Sequence, residues 1–240
     1  MHYEKSIELY GDGIGRVDYV EHMGSDLTIV NSARVSFGTQ KEELDAKDKK
    51  LINYLAKHKH TSTFEHNVVT FRFVVPLYVR SQHHRHRTWS YNEISRRYTN
   101  VNIQFYEPEE FRTQHESNRQ ASNSDELENP MLVFPPKIDG MEIRYPADLA
   151  VKHHHQKSLR LYNMLIDAGV CREQVRGVLP QNLYTEYYGT VNLNNLLKFI
   201  DLRSHEGAQW EIQKVAEACL YIADELWPVA TKAYRSRRNA

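Results

Sequence analysis

The densest concentration of reactive side chains lies between Arg80 and Tyr98. There, five arginines (Arg80, Arg85, Arg87, Arg96, Arg97) share nineteen positions' worth of chain with a single acid, Glu93. Guanidinium forks match phosphate oxygens in paired hydrogen bonds. Ser90, Asn92 and Ser95 add short neutral donors, and Tyr91 and Tyr98 add aromatic faces. This set suits a nucleotide or a phosphorylated cofactor. By charge alone, a solvated basic helix face or an RNA-contacting patch accounts for it equally well. The close interleaving of serine, asparagine and one glutamate with the cations argues for a ligand site.

Other residues are weaker candidates. Cys219 shares an apolar helical stripe with Ile212, Val215, Ile222 and Leu226 and reads as core, and Cys171 falls at a helix start with no histidine beside it. Neither has the setting that activates a thiol nucleophile. His153, His154 and His155 are consecutive. On a helix, neighbours point about 100° apart, so the three do not converge on one ion, and no metal site is expected. His83 and His86 could share a face, but no third ligand is evident.

The elements that must position these residues follow from periodicity and punctuation. Short strands are expected over Ser6–Tyr10 and Arg16–Val20, and a helix over Asp26–Val35. Lys41–Lys57 reads as a helix with Leu44, Leu51, Ile52 and Leu55 near one face. In Asn67–Val75, Val69, Phe71 and Phe73 alternate with Thr70 and Arg72, the period of a strand, which Pro76 ends. Leu77–Arg87 reads as helical, and the polar run Gln114–Asn129 as an exposed loop. Pro146 opens a helix that Gly169 closes, and a short helix covers Arg172–Val178. A strand over Leu183–Val191 leads to a helix capped by Asn192, and the Ile212–Leu226 stripe forms the last helix. The pattern is α+β: a single domain with a modest, mostly antiparallel sheet surrounded by helices.

Bulk properties narrow the class. Thirty-one basic residues balance thirty-one acidic ones, which disfavours a globally basic nucleic-acid-binding protein. Two cysteines make no disulfide framework and fit a reduced, cytoplasmic chain. The start MHYEKSIELYGDG lacks the apolar region of a signal peptide, and no run approaches the roughly 20 apolar residues of a membrane span.

The order of residues from Arg85 to Tyr98, RHRTWSYNEISRRY, resembles the signature of the flavin-dependent thymidylate synthases: Arg-His-Arg, then serine, asparagine, glutamate, serine and arginine at set intervals. Gln82 stands three residues before Arg85, as that signature expects. HKHTSTFEH (His58–His66) resembles the family's segment before its central strand, and the stretch from Val175 to Arg203, with AQWEIQ (Ala208–Gln213), resembles its C-terminal half. The likeness omits the extreme N-terminus and residues 114–139.

The resemblance implies a homotetramer with active sites between subunits, where FAD is bound, dUMP stacks on the flavin, methylenetetrahydrofolate supplies carbon and NADPH reduces the flavin. It implies that Gln82, Arg85, Glu93, Ile94, Ser95, Arg96, Arg97, Arg176 and Arg203 surround dUMP. It implies that Ser62, Arg85, His86, Arg87, Glu93, Asn192, Asn194 and Lys198 contact FAD, with His60 near the flavin ring. Arg203 would stabilise negative charge on the pyrimidine, in place of a cysteine nucleophile. The chain departs from the family pattern in three ways. Asn194 stands where many relatives carry arginine, Lys198 where some carry asparagine or histidine, and Cys171 replaces a common proline. The segment at about 113–140 reads as a polar insertion loop, longer than in typical members.

Two other classes compete. A non-catalytic nucleotide- or RNA-binding module would use the same arginines on phosphates, but the balanced charge counts against it. A metal-dependent nucleotide hydrolase rests only on the thirteen histidines.

Overall fold

A computed structural model describes residues 5–118, 122–134 and 142–238. The strands are β1 (Lys5–Glu8), β2 (Arg16–Met23), β3 (Val68–Pro76), β4 (Ser90–Glu93), β5 (Phe111–Gln114), β6 (Ser122–Glu128), β7 (Met131–Phe134), β8 (Ile143–Pro146) and β9 (Tyr184–Asn192). The helices are α1 (Asp26–Arg34), α2 (Ala46–Lys57), α3 (Leu77–His83), α4 (Ala147–Asp167), α5 (Arg172–Val175), α6 (Leu193–Arg203), α7 (Trp210–Leu226) and α8 (Pro228–Arg238). The chain forms two compact units. One takes in residues up to Val74, Ser81–Glu93 and everything from Glu186 on, and the other Val75–Arg80 and Ile94–Thr185.

The first unit carries a five-stranded sheet in the order β1-β2-β3-β9-β4, with antiparallel pairing of β1 to β2, β2 to β3 and β4 to β9. The alternation in β3 buries Val69, Phe71 and Phe73 completely, and they join a core with Leu193, Leu196, Phe199, Ile212 and Val215. The intervening Arg72 lies opposite Asp18 in the register. It donates from Nη1 to Asp18 and from Nε to Glu186, both at 2.6 Å. Burial would pull this guanidinium's pKa down, but the two carboxylates hold it above its ordinary value. The α+β reading with a mostly antiparallel sheet therefore holds.

Gly189 sits opposite Tyr91 in the β4–β9 pair. A Cβ at Gly189 would come within 2.8 Å of the buried Phe73 ring and 3.2 Å of Trp89. Gly189→Ala is therefore expected to cost about 2 kcal/mol by overpacking, lowering the melting temperature by roughly 4–8 °C. An unchanged thermal melt would contradict this packing.

The second unit buries Tyr162, Val175, Leu179 and Leu183, with Leu77, Phe105, Leu159 and Ile166 packed against them. Two antiparallel pairs, β5 with β6 and β7 with β8, belong to this unit, and β7 and β8 lie beside α4.

Several elements differ from the sequence reading. Within the insertion, β5 and β6 pair across Gln114 and Ser122, so the polar run is a strand pair where a loop was expected. Its polar composition suits two strands with exposed faces. Residues 119–121 and 135–141 lie outside the described part. The helix read from Lys41 begins at Ala46, because the Asp45 carboxylate accepts from the Lys47 and Asp48 amides and caps it there. The helix read to Arg87 stops at His83, where i to i−3 bonds from Arg85 and His86 tighten the chain into a turn. An additional helix, α8, follows α7. Pro228 opens it, and the buried Asp26 carboxylate accepts from the Val229 and Ala230 amides at 2.9 Å.

Candidate functional site

In the first unit, the Arg-His-Arg turn is pinned from below. The Tyr91 hydroxyl donates to the carbonyls of His83 (3.0 Å) and His86 (3.1 Å), and burial raises its pKa. The side chain of Gln82 donates to that of Gln209, which donates to Glu211 at 2.8 Å. From the end of α6, Arg203 reaches back across 117 residues of sequence. Its Nε donates to His86 Nε2 (3.1 Å) and its Nη2 to the Gln82 carbonyl (3.3 Å). Gln82, His86 and Arg203 thus form one cluster, with exposed Arg85 close enough to disturb Arg203 electrostatically.

The electrostatics of this cluster are unusual. Among the described residues no carboxylate pairs with Arg203 or Arg85. Burial, and then the neighbouring Arg85, push the Arg203 pKa below its ordinary value. A half-buried guanidinium, Arg203, beside an exposed one, Arg85, attracts an anion. Burial, and then Arg203, pull the His86 pKa down to about 4. A neutral His86 accepts at Nε2 from Arg203, which places its own proton on Nδ1.

A pH dependence follows. The unfolded-state histidine titrates near 6.5 and the folded one at about 4. The stability contributed by neutral His86 is present above about pH 6.5 and is lost as pH falls toward 4. Ring-proton NMR should find His86 titrating near 4. Arg203→Ala should raise this value only part of the way, because burial is the larger cause. A wild-type value near 6.5 would contradict the contact.

In the second unit, Ser95, Arg97 and Arg176 gather around one turn. Ser95 Oγ accepts from the Arg97 amide at 3.3 Å. Arg97 Nη2 lies 3.4 Å from the Glu173 carboxylate, and Arg176 Nε donates to the Glu173 carbonyl at 3.3 Å. Both arginines are exposed. Arg96 differs: its guanidinium donates to the carbonyls of Val101 (2.6 Å), Asn102 (3.2 Å) and Tyr184 (3.4 Å). These three bonds hold the loop, and the dUMP contact that the resemblance implies for Arg96 stands beside them as an expectation. Ile94 is half-buried just beyond β4.

The residues expected to hold FAD all belong to the first unit. Asn192 caps α6, its side chain accepting from the Asn195 amide. Asn194 is buried and donates to Glu65 at 2.8 Å. Asn194 and Lys198 line a cavity of about 250 Å³ with Leu55, Ala56, Phe64 and Leu197. Ser62 lies exposed on the adjacent 3-10 turn Thr61–Phe64, preceded by His60, whose ring stacks on Tyr54 with centroids 6.0 Å apart. Arg85, Arg87 and Glu93 are exposed, and Arg85 lies near Arg203 at the last position of α6. α6 thus carries both cavity-lining residues and Arg203. An apolar, ring-sized slot at one end and unpaired cations at the other fit an elongated, anionic dinucleotide such as FAD.

Neither cysteine is built as a nucleophile. Cys219 is fully buried and burial pushes its thiol pKa up, while exposed Cys171 donates to Gln174 at 3.6 Å. A Cys171→Ala, Cys219→Ala double variant is expected to turn over dUMP within about threefold of wild type, since a thiolate nucleophile would cost orders of magnitude. Its initial rate is the check. The three consecutive histidines diverge: His155 is buried and bonded to Glu107 at 2.8 Å, while His153 packs on Tyr145. Among the described residues no group of three or more His, Cys, Asp or Glu could hold a metal ion. Sequence reasoning missed Tyr91 and Gln209 as supports. Tyr91 showed only an aromatic face, and nothing in its spacing marks the two carbonyls it bridges.

Comparison with known proteins shows the family. A family model described as thymidylate synthase complementing protein matches residues 18–229. A flavin-dependent thymidylate synthase of Thermus thermophilus is 41% identical over 92% of this chain and 75% of its own length. That of Thermotoga neapolitana is 38% identical over 92% of this chain and 90% of its own. The crystal structure of a UMP/dUMP methylase, PolB, from Streptomyces cacaoi with 5-bromo-dUMP bound is similar at a TM-score of 0.76 and 30% identity, covering 96% of this chain and 97% of that one. The chain belongs to the flavin-dependent thymidylate synthase family.

Proposed function

We propose that this chain catalyses the reductive methylation of dUMP to dTMP, with FAD as its cofactor, methylenetetrahydrofolate as carbon donor and NADPH as reductant. The observation that carries the proposal is the Arg203–His86–Gln82 cluster beside exposed Arg85, where among the described residues no carboxylate pairs with either arginine. Uracil carbon 5 is a poor nucleophile, and its activation places negative charge on the pyrimidine. Arg203, fixed at two of its nitrogens, is oriented before the reaction and stabilises that charge without a thiolate. Arg97 and Arg176 supply the phosphate contacts, with Ser95 as a neutral donor. When bound, the flavin supplies the reducing equivalents. His86, neutral and accepting from Arg203, holds the guanidinium in place.

The family match runs through both compact units, which supports reading residues 1–240 as one functional domain. A homotetramer with sites between subunits completes this reading, as does a cytoplasmic location, which the two free cysteines suit. No helix among the described residues is long and apolar enough to cross a membrane. Flavin retention tests the proposal against the RNA-binding module. Purified protein should be yellow and should release FAD on denaturation. A colourless protein that binds RNA with steep salt dependence would favour the module instead.

A further inference from the structure

The side-chain hydrogen bonds that join α7 to α3 have a direction, and a buried acid sets it. Glu211 is buried in the first turn of α7, where the helix N-terminus favours negative charge. An ionised carboxylate only accepts hydrogen bonds, so the amide that meets it must donate. Gln209 therefore turns its Nε2 to Glu211, at 2.8 Å, and its Oε1 toward α3. Gln82 must donate in its turn, and its Nε2 does so to that oxygen. The two ends of a glutamine amide are alike in shape and differ in this polarity. One carboxylate thus fixes the orientation of two amides.

The main chain holds all three residues in place. Gln209 is the N-cap of α7, and its carbonyl accepts from the Ile212 and Gln213 amides at 3.1 Å. The Gln82 carbonyl accepts from Arg203 Nη2 at 3.3 Å. The Tyr10 hydroxyl donates to the Glu211 carbonyl at 3.2 Å, and the Tyr10 ring packs on Trp210 with centroids 6.0 Å apart. The chain of bonds ends on an acceptor. Among the described residues no group donates to Gln82 Oε1, and this oxygen is open to solvent.

Resting on the dUMP reading above, we propose that Glu211 is a positioning residue for substrate recognition: acting through Gln209, it aims the carbonyl oxygen of Gln82 at a hydrogen-bond donor of dUMP. Two groups of dUMP donate, the uracil N3–H and the sugar hydroxyl, whereas the phosphate oxygens only accept. The test uses two changes that alter the polarity of the chain of bonds and keep its length, Gln82→Glu and Glu211→Gln, alone and together. KM and kcat for dUMP are measured on FAD-loaded protein, with thermal melts. Glu211→Gln lets the bonds run in either direction, so KM should rise about two- to threefold, the effect of a half-populated orientation. Gln82→Glu puts an acceptor at each end of one amide that cannot serve both, so KM should rise about tenfold or more and the melting temperature should fall. The double variant is consistent again, with the direction reversed and an oxygen still presented to the ligand. Its KM should lie severalfold below that of Gln82→Glu, and its melting temperature above. A double variant whose losses multiply, or a wild-type KM in Glu211→Gln, would overturn the proposal. Equilibrium titrations name the donor. Gln82→Ala should weaken dUMP about tenfold and leave unchanged the analogue that lacks the donor: dCMP if it is N3–H, the dideoxy nucleotide if it is the hydroxyl. Equal losses for all three ligands would also overturn it. Wild-type protein that does not bind dUMP would remove the substrate reading itself, a result distinct from uncoupled variants in a protein that binds it.

Discussion

Arg203→Ala should lower turnover of dUMP by roughly 10²–10³-fold, the effect of removing one preorganised donor from a developing negative charge. Arg203 is half-buried at the last position of α6, and its two bonds go to His86 Nε2 and to a main-chain carbonyl. Its removal leaves no buried carboxylate unpaired, so the fold should survive and the variant should melt close to wild type. On the proposed reading the loss should fall on kcat, because Arg203 would stabilise charge that exists only during the reaction. Arg203→Lys should recover little of it. An ammonium cannot place separate donors on the imidazole and the carbonyl as Nε and Nη2 do. Steady-state kinetics with thermal melts on both variants give the answer, and near-wild-type kcat in Arg203→Ala would reject the assignment.

The second large effect is expected on binding. Arg97→Ala and Arg176→Ala should each raise the KM for dUMP by about tenfold or more, the value of a hydrogen bond to a charged group, with kcat little changed. The Arg97 guanidinium meets Glu173 in an exposed ion pair at 3.4 Å and lies 5.9 Å from the Tyr98 ring centroid, contacts worth little in water and readily exchanged for a phosphate. Deoxyuridine, which lacks the phosphate, should not distinguish either variant from wild type. Arg96→Ala should behave differently. Its guanidinium serves three main-chain carbonyls, so its loss should lower the melting temperature more than it raises KM. Equal KM effects at Arg96 and Arg97 would contradict the separation drawn between them.

The contrast between Arg96 and Arg97 shows where sequence reading reaches its limit. Both lie in the fixed-order motif, and the family resemblance implies a dUMP contact for both. Only the positions of the Val101, Asn102 and Tyr184 carbonyls tell them apart. The long elements were legible because their patterns repeat. The β3 alternation buries Val69, Phe71 and Phe73, and the α7 stripe buries Ile212, Val215, Cys219 and Ile222, leaving Leu226 half-buried at the helix end. Short elements were less so. β4 is four residues within the motif and exists through pairing with β9 and the space left by Gly189, which are non-local facts. α8 went unread because its first turn is capped by Asp26, some two hundred residues earlier. The Arg203–His86 bond likewise spans 117 residues, and no spacing rule predicts it.

The most direct measurement of the central claim is release of hydrogen from carbon 5 of labelled dUMP by the purified chain, with FAD, NADPH and methylenetetrahydrofolate present. The arrangement of Arg203, His86 and Arg85 predicts sustained release by wild type and by the double cysteine variant, and severe loss in Arg203→Ala. No release from well-folded, FAD-loaded wild-type protein would contradict it.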